Sequence, residues 1–151
     1  MGQKEFKITN MNSPLSLSTY PDHARHRVLL VDDSPQVLQD LRLLLELQGG
    51  MEIIAEAVNG QEAVRLAADL APDVVVMDLE MPVMNGYEAT RQIKSRLPAP
   101  RVVILSVHAG PVELDRARAA GADRFVIKGA RYEILLNAVL ATDGSPYLFG
   151  P

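Results

Sequence analysis

The stretch VLLVDDSP at residues 28–35 places a fully apolar run directly before two aspartates and a helix start. Ser34 and Pro35 are residue types that favour the N-cap and the first position of a helix. Apolar residues then recur at helical spacing as far as Gly49 and Gly50, where a helix would end. The stretch therefore predicts a buried strand, a loop that carries two carboxylates, and a helix.

Four more short apolar runs follow, each separated from the next by a segment of helical period. Strands that are apolar throughout, with a helix between each pair, indicate a parallel sheet covered by helices on both faces. Five β/α units are too few to close an eight-stranded barrel. We expect an α/β fold, a flavodoxin-like doubly wound five-stranded parallel sheet of order 2-1-3-4-5 with five helices. The four runs are residues 53–55, 74–77, 102–105 and 125–127.

The other helices have recognisable starts and ends. The second is expected to begin at Asn59, with Glu62 at the capping-box position. The third is expected to begin near Tyr87, and the fourth to follow Pro111 and end at Gly121. The fifth covers residues 132–139.

A chain of 151 residues predicts one domain plus tails. Residues 27–140 carry the pattern, so we expect a leader at 1–26 and a tail at 141–151. The hydrophobic content of 48% excludes a disordered polymer, and the absence of cysteine excludes disulfides, thiolate zinc sites and cysteine nucleophiles. His23 and His26 lack a third ligand and are not interpreted as a metal site.

Charge and hydropathy limit the expected partners. The net charge of −4 is unsuited to a phosphate-backbone footprint, so we expect no direct contact of this chain with nucleic acid. No apolar run approaches the length of a membrane span, and the first 26 residues contain no signal-peptide core. We therefore expect a cytoplasmic protein without membrane contact.

Polar side chains follow four of the predicted strands. In a doubly wound sheet these strand ends border the ligand crevice. Each residue alone could be a helix cap, a turn residue or a solvated lysine. Their joint occurrence favours a functional site. The residues are Asp32 and Asp33 after the first strand, Asp78 after the third, Ser106 after the fourth and Lys128 after the fifth.

Three carboxylates in one crevice need a positive partner, since two charges about 4 Å apart repel by about 4 kcal/mol at an effective dielectric of 20. Oxygen ligands without histidine or cysteine favour Mg²⁺, with Mn²⁺ as a substitute. Beside a metal and a lysine, Asp78 could act as a nucleophile toward phosphorus and form an acyl phosphate.

The segments 28–34, 78–86, 104–106 and 121–123, the last leading to Lys128, resemble the receiver domain of bacterial two-component response regulators. The resemblance covers residues 27–140. It includes the double aspartate and the element Asp-x-x-x-Pro-x-x-x-Gly.

This resemblance implies a role for each matching site residue. Asp78 would be the phospho-acceptor. Asp33 and Asp78 would bind Mg²⁺ together with the backbone carbonyl of Glu80, and Asp32 would act through a metal-bound water. Lys128 would pair with the phosphoryl group. The only reactions catalysed would be the protein's own phosphorylation and dephosphorylation.

The resemblance also implies a switch and partners. Ser106 would turn its hydroxyl toward the phosphoryl group, and the ring of Phe125 would turn inward on activation. The donor would be a sensor histidine kinase or a phosphotransfer protein. Output would involve residues 111–140, with a possible homodimer through the face formed by the fourth helix, fifth strand and fifth helix.

Some residues indicate a subclass or depart from the family pattern. Segments 106–108 and 128–130 resemble receivers fused to a LuxR-type helix-turn-helix. Many receivers have Lys-Pro where this chain has Lys128-Gly129, and we expect a trans bond with the lysine still directed into the crevice. Val107 is bulky for its position, and we hypothesise that it lengthens the lifetime of the acyl phosphate.

Two other functions remain open at this point. One is a receiver-like module that binds its partner regardless of phosphorylation. The other is a phosphatase of the haloacid-dehalogenase type, which needs a second aspartate two residues after the first. Glu80 stands at that position.

Overall fold

The structure, a computed structural model, describes residues 25–141 and confirms the predicted sheet. The five parallel strands lie in the order β2-β1-β3-β4-β5. A helix follows each strand in sequence. The strands are β1 (His26–Val31), β2 (Met51–Ala57), β3 (Val74–Met77), β4 (Arg101–Ser106) and β5 (Arg124–Ile127). The helices are α1 (Pro35–Gln48), α2 (Gly60–Leu70), α3 (Gly86–Lys94), α4 (Pro111–Ala120) and α5 (Tyr132–Leu140).

Two apolar layers hold the sheet between the helices. Alternate residues of a strand point to opposite faces, so Val28 and Leu30 of β1 pack on the side of α1 and α5. Leu29 and Val31 pack on the side of α2, α3 and α4. β3, at the centre of the sheet, is apolar at every position, and β1 and β4 are apolar over residues 28–31 and 102–105, because both faces of the sheet are covered there.

The helix starts follow the predicted capping chemistry. The Oγ of Ser34 accepts a hydrogen bond from the Val37 N–H at 3.4 Å, and Pro35 occupies the first turn of α1. The Oδ1 of Asn59 accepts from the Glu62 N–H at 2.8 Å at the start of α2. The Glu62 carboxylate accepts from the Val58 N–H, one residue earlier than a capping box requires.

The boundaries differ slightly from those expected. β1 begins at His26, one residue inside the expected leader. Residues 1–24 of the expected leader, which include His23, and residues 142–151 of the expected tail lie outside the described residues. Within residues 25–141, no helix is both long and apolar enough to cross a membrane.

Candidate functional site

The predicted acidic residues meet at the carboxyl end of the sheet. β1 and β3 are adjacent, and Asp78 N–H donates to the Val31 carbonyl at 2.9 Å. The end of β2 supports the β1–α1 loop, which carries Asp32 and Asp33, because the Asp32 N–H donates to the Ala57 carbonyl at 3.1 Å. One carboxylate oxygen from each of Asp32, Asp33 and Asp78 lies within 4.8 Å of the others.

Asp32 is buried and both of its oxygens are engaged. Oδ1 accepts from the Ser34 N–H at 2.9 Å, and Oδ2 accepts from Nζ of Lys128 at 2.7 Å. The residue is 2% exposed. This arrangement suits the predicted indirect role, since a metal-bound water can contact an oxygen that already has a protein partner.

Asp78 has one engaged oxygen. Oδ1 accepts from the Leu79 N–H at 2.9 Å and from Nζ of Lys128 at 3.3 Å. Burial raises the pKa of Asp78 above its ordinary value, and the charge of Asp32 raises it further, while Lys128 opposes both effects. Neither Oδ2 of Asp78 nor the carboxylate of exposed Asp33 accepts a hydrogen bond from the described residues.

Lys128 reaches the acidic cluster from two strands away. Its backbone N–H donates to the Ser106 carbonyl at 2.8 Å, which fixes the chain directly after β5. Burial lowers the pKa of Lys128, but the hydrogen bond to Asp32 and the charges of Asp32 and Asp78 raise it above its ordinary value. The bond to Gly129 is trans, as predicted, and the side chain points into the crevice.

Ser106 lies at the end of β4 and is buried. Its Oγ accepts from the His108 N–H at 3.2 Å, so the hydroxyl oxygen is engaged within its own loop. Nε2 of His108 lies 4.0 Å from Oε1 of exposed Glu80. The Glu80 side chain therefore faces the β4–α4 loop, and its carboxylate is not part of the acidic cluster.

Phe125 of β5 lies in the apolar layer beside α4 and is 7% exposed. The ring thus already occupies the inward position in this structure. Because phenylalanine has no hydroxyl group, it needs no polar partner there.

Gly86 is a structural requirement of the site that the sequence signalled only as the last letter of a motif. Its N–H donates to the Leu79 carbonyl at 2.9 Å and closes the β3–α3 loop. A Cβ at this position would overlap the Asp78 carbonyl. Only glycine allows the helix to begin this close to the acidic residue.

The donor set fits a hard divalent cation. The cluster presents oxygen ligands, and one lysine balances only part of the charge of three carboxylates. Asp33 and Oδ2 of Asp78 offer oxygens that no described protein group occupies. Mg²⁺ prefers a small number of carboxylate ligands and keeps several waters, which suits this arrangement.

A cavity lies away from the acidic cluster. It has a volume of about 450 Å³ and is lined by the end of α2, the end of α3 and residues 97–100. None of the predicted site residues lines it. The acidic cluster is thus separate from this cavity.

Known proteins share both the sequence pattern and the fold. The chain is 39% identical over 123 residues to the transcriptional regulatory protein LiaR of Bacillus subtilis, covering 81% of this chain and 58% of LiaR. It is 36% identical over 125 residues to the response regulator VraR of Staphylococcus aureus, covering 83% of this chain and 60% of VraR. The chain therefore spans somewhat more than half the length of these relatives.

Solved structures agree with this likeness. A LuxR-family two-component response regulator from Aurantimonas sp. superposes with a TM-score of 0.71 at 38% identity, covering 78% of this chain and 86% of that chain. Phosphorylation and phosphorelay are general properties of two-component response regulators, and their receiver domains interact with histidine kinases. The sequence profile of the response regulator receiver domain matches residues 28–140. The chain therefore belongs to the response regulator receiver domain family.

Proposed function

We propose that Asp78 accepts a phosphoryl group from a phosphohistidine of a sensor kinase or phosphotransfer protein, and that the product changes the binding of a partner. The observation that carries this proposal is the meeting of Asp32, Asp33, Asp78 and Lys128 at the end of the central strands. Residues 26–140 would form the receiver, because His26 begins β1. Residues 1–25 would be a leader, and 141–151 the start of a linker.

Asp78 is arranged to act as the nucleophile. The Leu79 N–H and Lys128 orient the carboxylate through Oδ1, and one of its two oxygens would attack phosphorus while the other would remain with the metal ion. A P–O bond forms as the P–N bond of the donor breaks, and the imidazole nitrogen leaves with the electron pair and takes up a proton. The catalysis proposed is limited to this reaction and to hydrolysis of its product.

Asp33, Asp78 and the backbone carbonyl of Glu80 would hold Mg²⁺ or Mn²⁺, with Asp32 contacting a bound water. The ion would neutralise charge on the transferred phosphoryl oxygens. Lys128 contributes a second positive charge and keeps Asp32 and Asp78 close together. The partly compensated charge of the acidic cluster supports this assignment.

Ser106 and Phe125 would communicate phosphorylation to the surface. If the Ser106 hydroxyl turns to donate to the phosphoryl group, it gives up its bond from His108 N–H, and the β4–α4 loop moves. Repacking around Phe125 would accompany this movement. A free-energy difference of about 1–3 kcal/mol between the two arrangements is typical of such coupling.

The output surface proposed is residues 111–140, and a homodimer through α4, β5 and α5 would use the same face. Exposed Val112 and Ile127 supply apolar contacts there. We propose no direct contact of these residues with nucleic acid; the match to the transcriptional regulatory protein LiaR covers 58% of that relative. We place the protein in the cytoplasm, where its kinase partner would act.

Mass spectrometry after incubation with acetyl phosphate and Mg²⁺ tests the proposal. Wild type should gain one phosphoryl group on a peptide containing Asp78, and Asp78→Asn should gain none. Asp69→Asn provides a matched control, because Asp69 is an exposed aspartate on α2 whose ion pair within residues 25–141 is with Arg65. It should be labelled like wild type.

Labelling of Asp78→Asn at the same stoichiometry would place the phosphate elsewhere and overturn the assignment. Partner binding measured with and without acetyl phosphate separates the switch from the alternative of a phosphorylation-independent interaction module. Equal affinity in both conditions would favour that alternative.

A further inference from the structure

We propose that Gly60, the first residue of α2, is a positioning residue that keeps the β3–α3 loop in the shape required for metal binding. This inference rests on the proposed function. Gly60 lies outside the acidic cluster and outside the motif that ends at Gly86. Its backbone contacts the loop that carries Asp78 and Glu80.

Gly60 packs directly on the backbone of this loop. Its N–H, which has no partner within the first turn of the helix, donates to the Met84 carbonyl at 2.9 Å. A Cβ at Gly60 would lie 2.5 Å from the Met84 carbonyl oxygen and 3.0 Å from that of Asn85. Both neighbours are main-chain atoms, so no side-chain rotation could relieve the overlap.

Position 60 requires glycine because there is no room for a Cβ atom, and not because of the backbone conformation. The φ of Gly60 lies outside the left-handed region, so an alanine could adopt the same dihedral angles. Alanine is also the better helix former. Glycine is therefore required here only by the close approach of residues 84 and 85.

The loop has little freedom to absorb a displacement. Gly86 N–H closes it onto the Leu79 carbonyl at 2.9 Å, and Met84 N–H donates to the Pro82 carbonyl at 2.8 Å. Oδ1 of Asn85 caps α3 by accepting from the Glu88 N–H at 3.0 Å. A shift at residues 84 and 85 must therefore move the start of α3 or residues 79–82, which include the Glu80 carbonyl.

Residues 57–60, which include Gly60, also support the β1–α1 loop that carries Asp32 and Asp33. Ala57 ends β2 and accepts from the Asp32 N–H at 3.1 Å, and Gly60 follows three residues later. The side chain of Asn59 fixes the intervening turn to α2. Residues 57–60 thus contact the backbones of the β1–α1 loop and the β3–α3 loop and set the position of one loop relative to the other.

The main test is Mg²⁺ affinity of Gly60→Ala, measured by calorimetry without a phosphoryl donor. We expect about tenfold weaker binding, as is common when a group that orients metal ligands is changed. The Mg²⁺ concentration that gives half-maximal labelling by acetyl phosphate should rise by the same factor. A merely structural role would lower the folded fraction without changing either concentration dependence.

Gln61→Ala is the matched control, because Gln61 is the next residue of α2 and is exposed. Its Mg²⁺ affinity should equal that of wild type. Wild-type affinity in folded Gly60→Ala would overturn the inference. Failure to label Asp78 in wild type would instead refute the proposed function, and the metal titrations would still test Gly60.

A measurement on wild type covers the case in which Gly60→Ala does not fold. In a Mg²⁺ titration followed by amide NMR, the Gly60 resonance should shift with the same dependence as Gly86. Gly49, at the far end of α1, should stay unchanged. A Gly60 resonance unaffected at saturating Mg²⁺ would contradict the inference.

Discussion

Each end of the sheet contains a lysine–aspartate pair, but the two pairs differ in charge balance. At the amino end, Nζ of Lys94 lies 2.8 Å from Oδ2 of Asp123, and the same oxygen accepts from the Val102 N–H at 2.8 Å. Lys94 also donates to the Pro100 carbonyl. One cation meets one carboxylate, and the lysine and the aspartate each have a second protein partner.

At the carboxyl end, one lysine meets three carboxylates. Lys128 bonds to Asp32 and Asp78, while Asp33 stays exposed beside them. Similar residue types therefore leave the amino end balanced in charge and the carboxyl end with more negative than positive charge. The unbalanced charge lies at the end of the sheet where we propose that a cation binds.

The largest effect is expected from removing each lysine in turn. Lys128→Met should lower the free energy of unfolding by about 3 kcal/mol in metal-free buffer, because two buried carboxylates lose their cation. Lys94→Met breaks a more exposed pair and should cost about 1 kcal/mol. Chemical denaturation with a chelator present measures both values.

Addition of Mg²⁺ distinguishes the two ends further. If Mg²⁺ binds the folded state as proposed, it should restore part of the stability of Lys128→Met. It should leave the loss in Lys94→Met unchanged. Equal Mg²⁺ responses of the two variants would contradict the distinction.

Removing one aspartate charge from each end of the sheet should change the free energy of unfolding in opposite directions. Asp78→Asn should raise the free energy of unfolding by roughly 0.5–2 kcal/mol in chelator, a range common for stabilising substitutions. The reason is that burial and Asp32 disfavour the charged form of Asp78. Asp123→Asn should lower it by about 1–3 kcal/mol, since Lys94 loses its charged acceptor.

The stabilisation by Asp78→Asn should depend on pH. Because the folded-state pKa of Asp78 is raised, its ionised form is penalised above that pKa, and the penalty disappears as the pH falls below the ordinary value of 3.8. The advantage of asparagine should therefore grow from acid toward neutral pH. A gain in unfolding free energy that did not change with pH would show that the charge of Asp78 is not the cause of the stabilisation.

The smallest effect concerns exposed apolar residues at the two ends. Val107 follows Ser106, and we expect Val107→Ala to speed loss of the phosphoryl group about threefold by admitting water, a barrier change of about 0.6 kcal/mol. Leu97→Ala is the control, because Leu97 is 90% exposed near the amino end. Decay of the labelled protein followed by mass spectrometry measures both rates, and an unchanged or slower rate in Val107→Ala would reject the hypothesis.

Sequence patterns predicted the sheet because local rules and the final packing agree. The apolar run 28–31 is buried on both faces, and Ser34 and Asn59 cap the helices they precede. The β/α alternation indicated an open doubly wound sheet, and the order 2-1-3-4-5 was predicted because it is a common arrangement for five such units. Helix and strand boundaries were correct to within a few residues.

The contacts within the site were less predictable. The sequence indicated that Lys128 would enter the crevice, but not that it would bond to Asp32 more closely than to Asp78. Gly60 gave no signal, since its importance depends on the approach of residues 84 and 85. Close contacts between segments distant in sequence depend on three-dimensional packing, which residue types alone do not specify.

The pairing of Asp32 with Lys128 joins residues 96 positions apart. During synthesis from the amino terminus, the three aspartates emerge before the lysine that compensates them. A nascent chain of which only the first four strands have left the ribosome would contain the three aspartates without Lys128, the lysine that pairs with them. If the proposed function holds, competence to accept a phosphoryl group would therefore be acquired only when the last strand is in place.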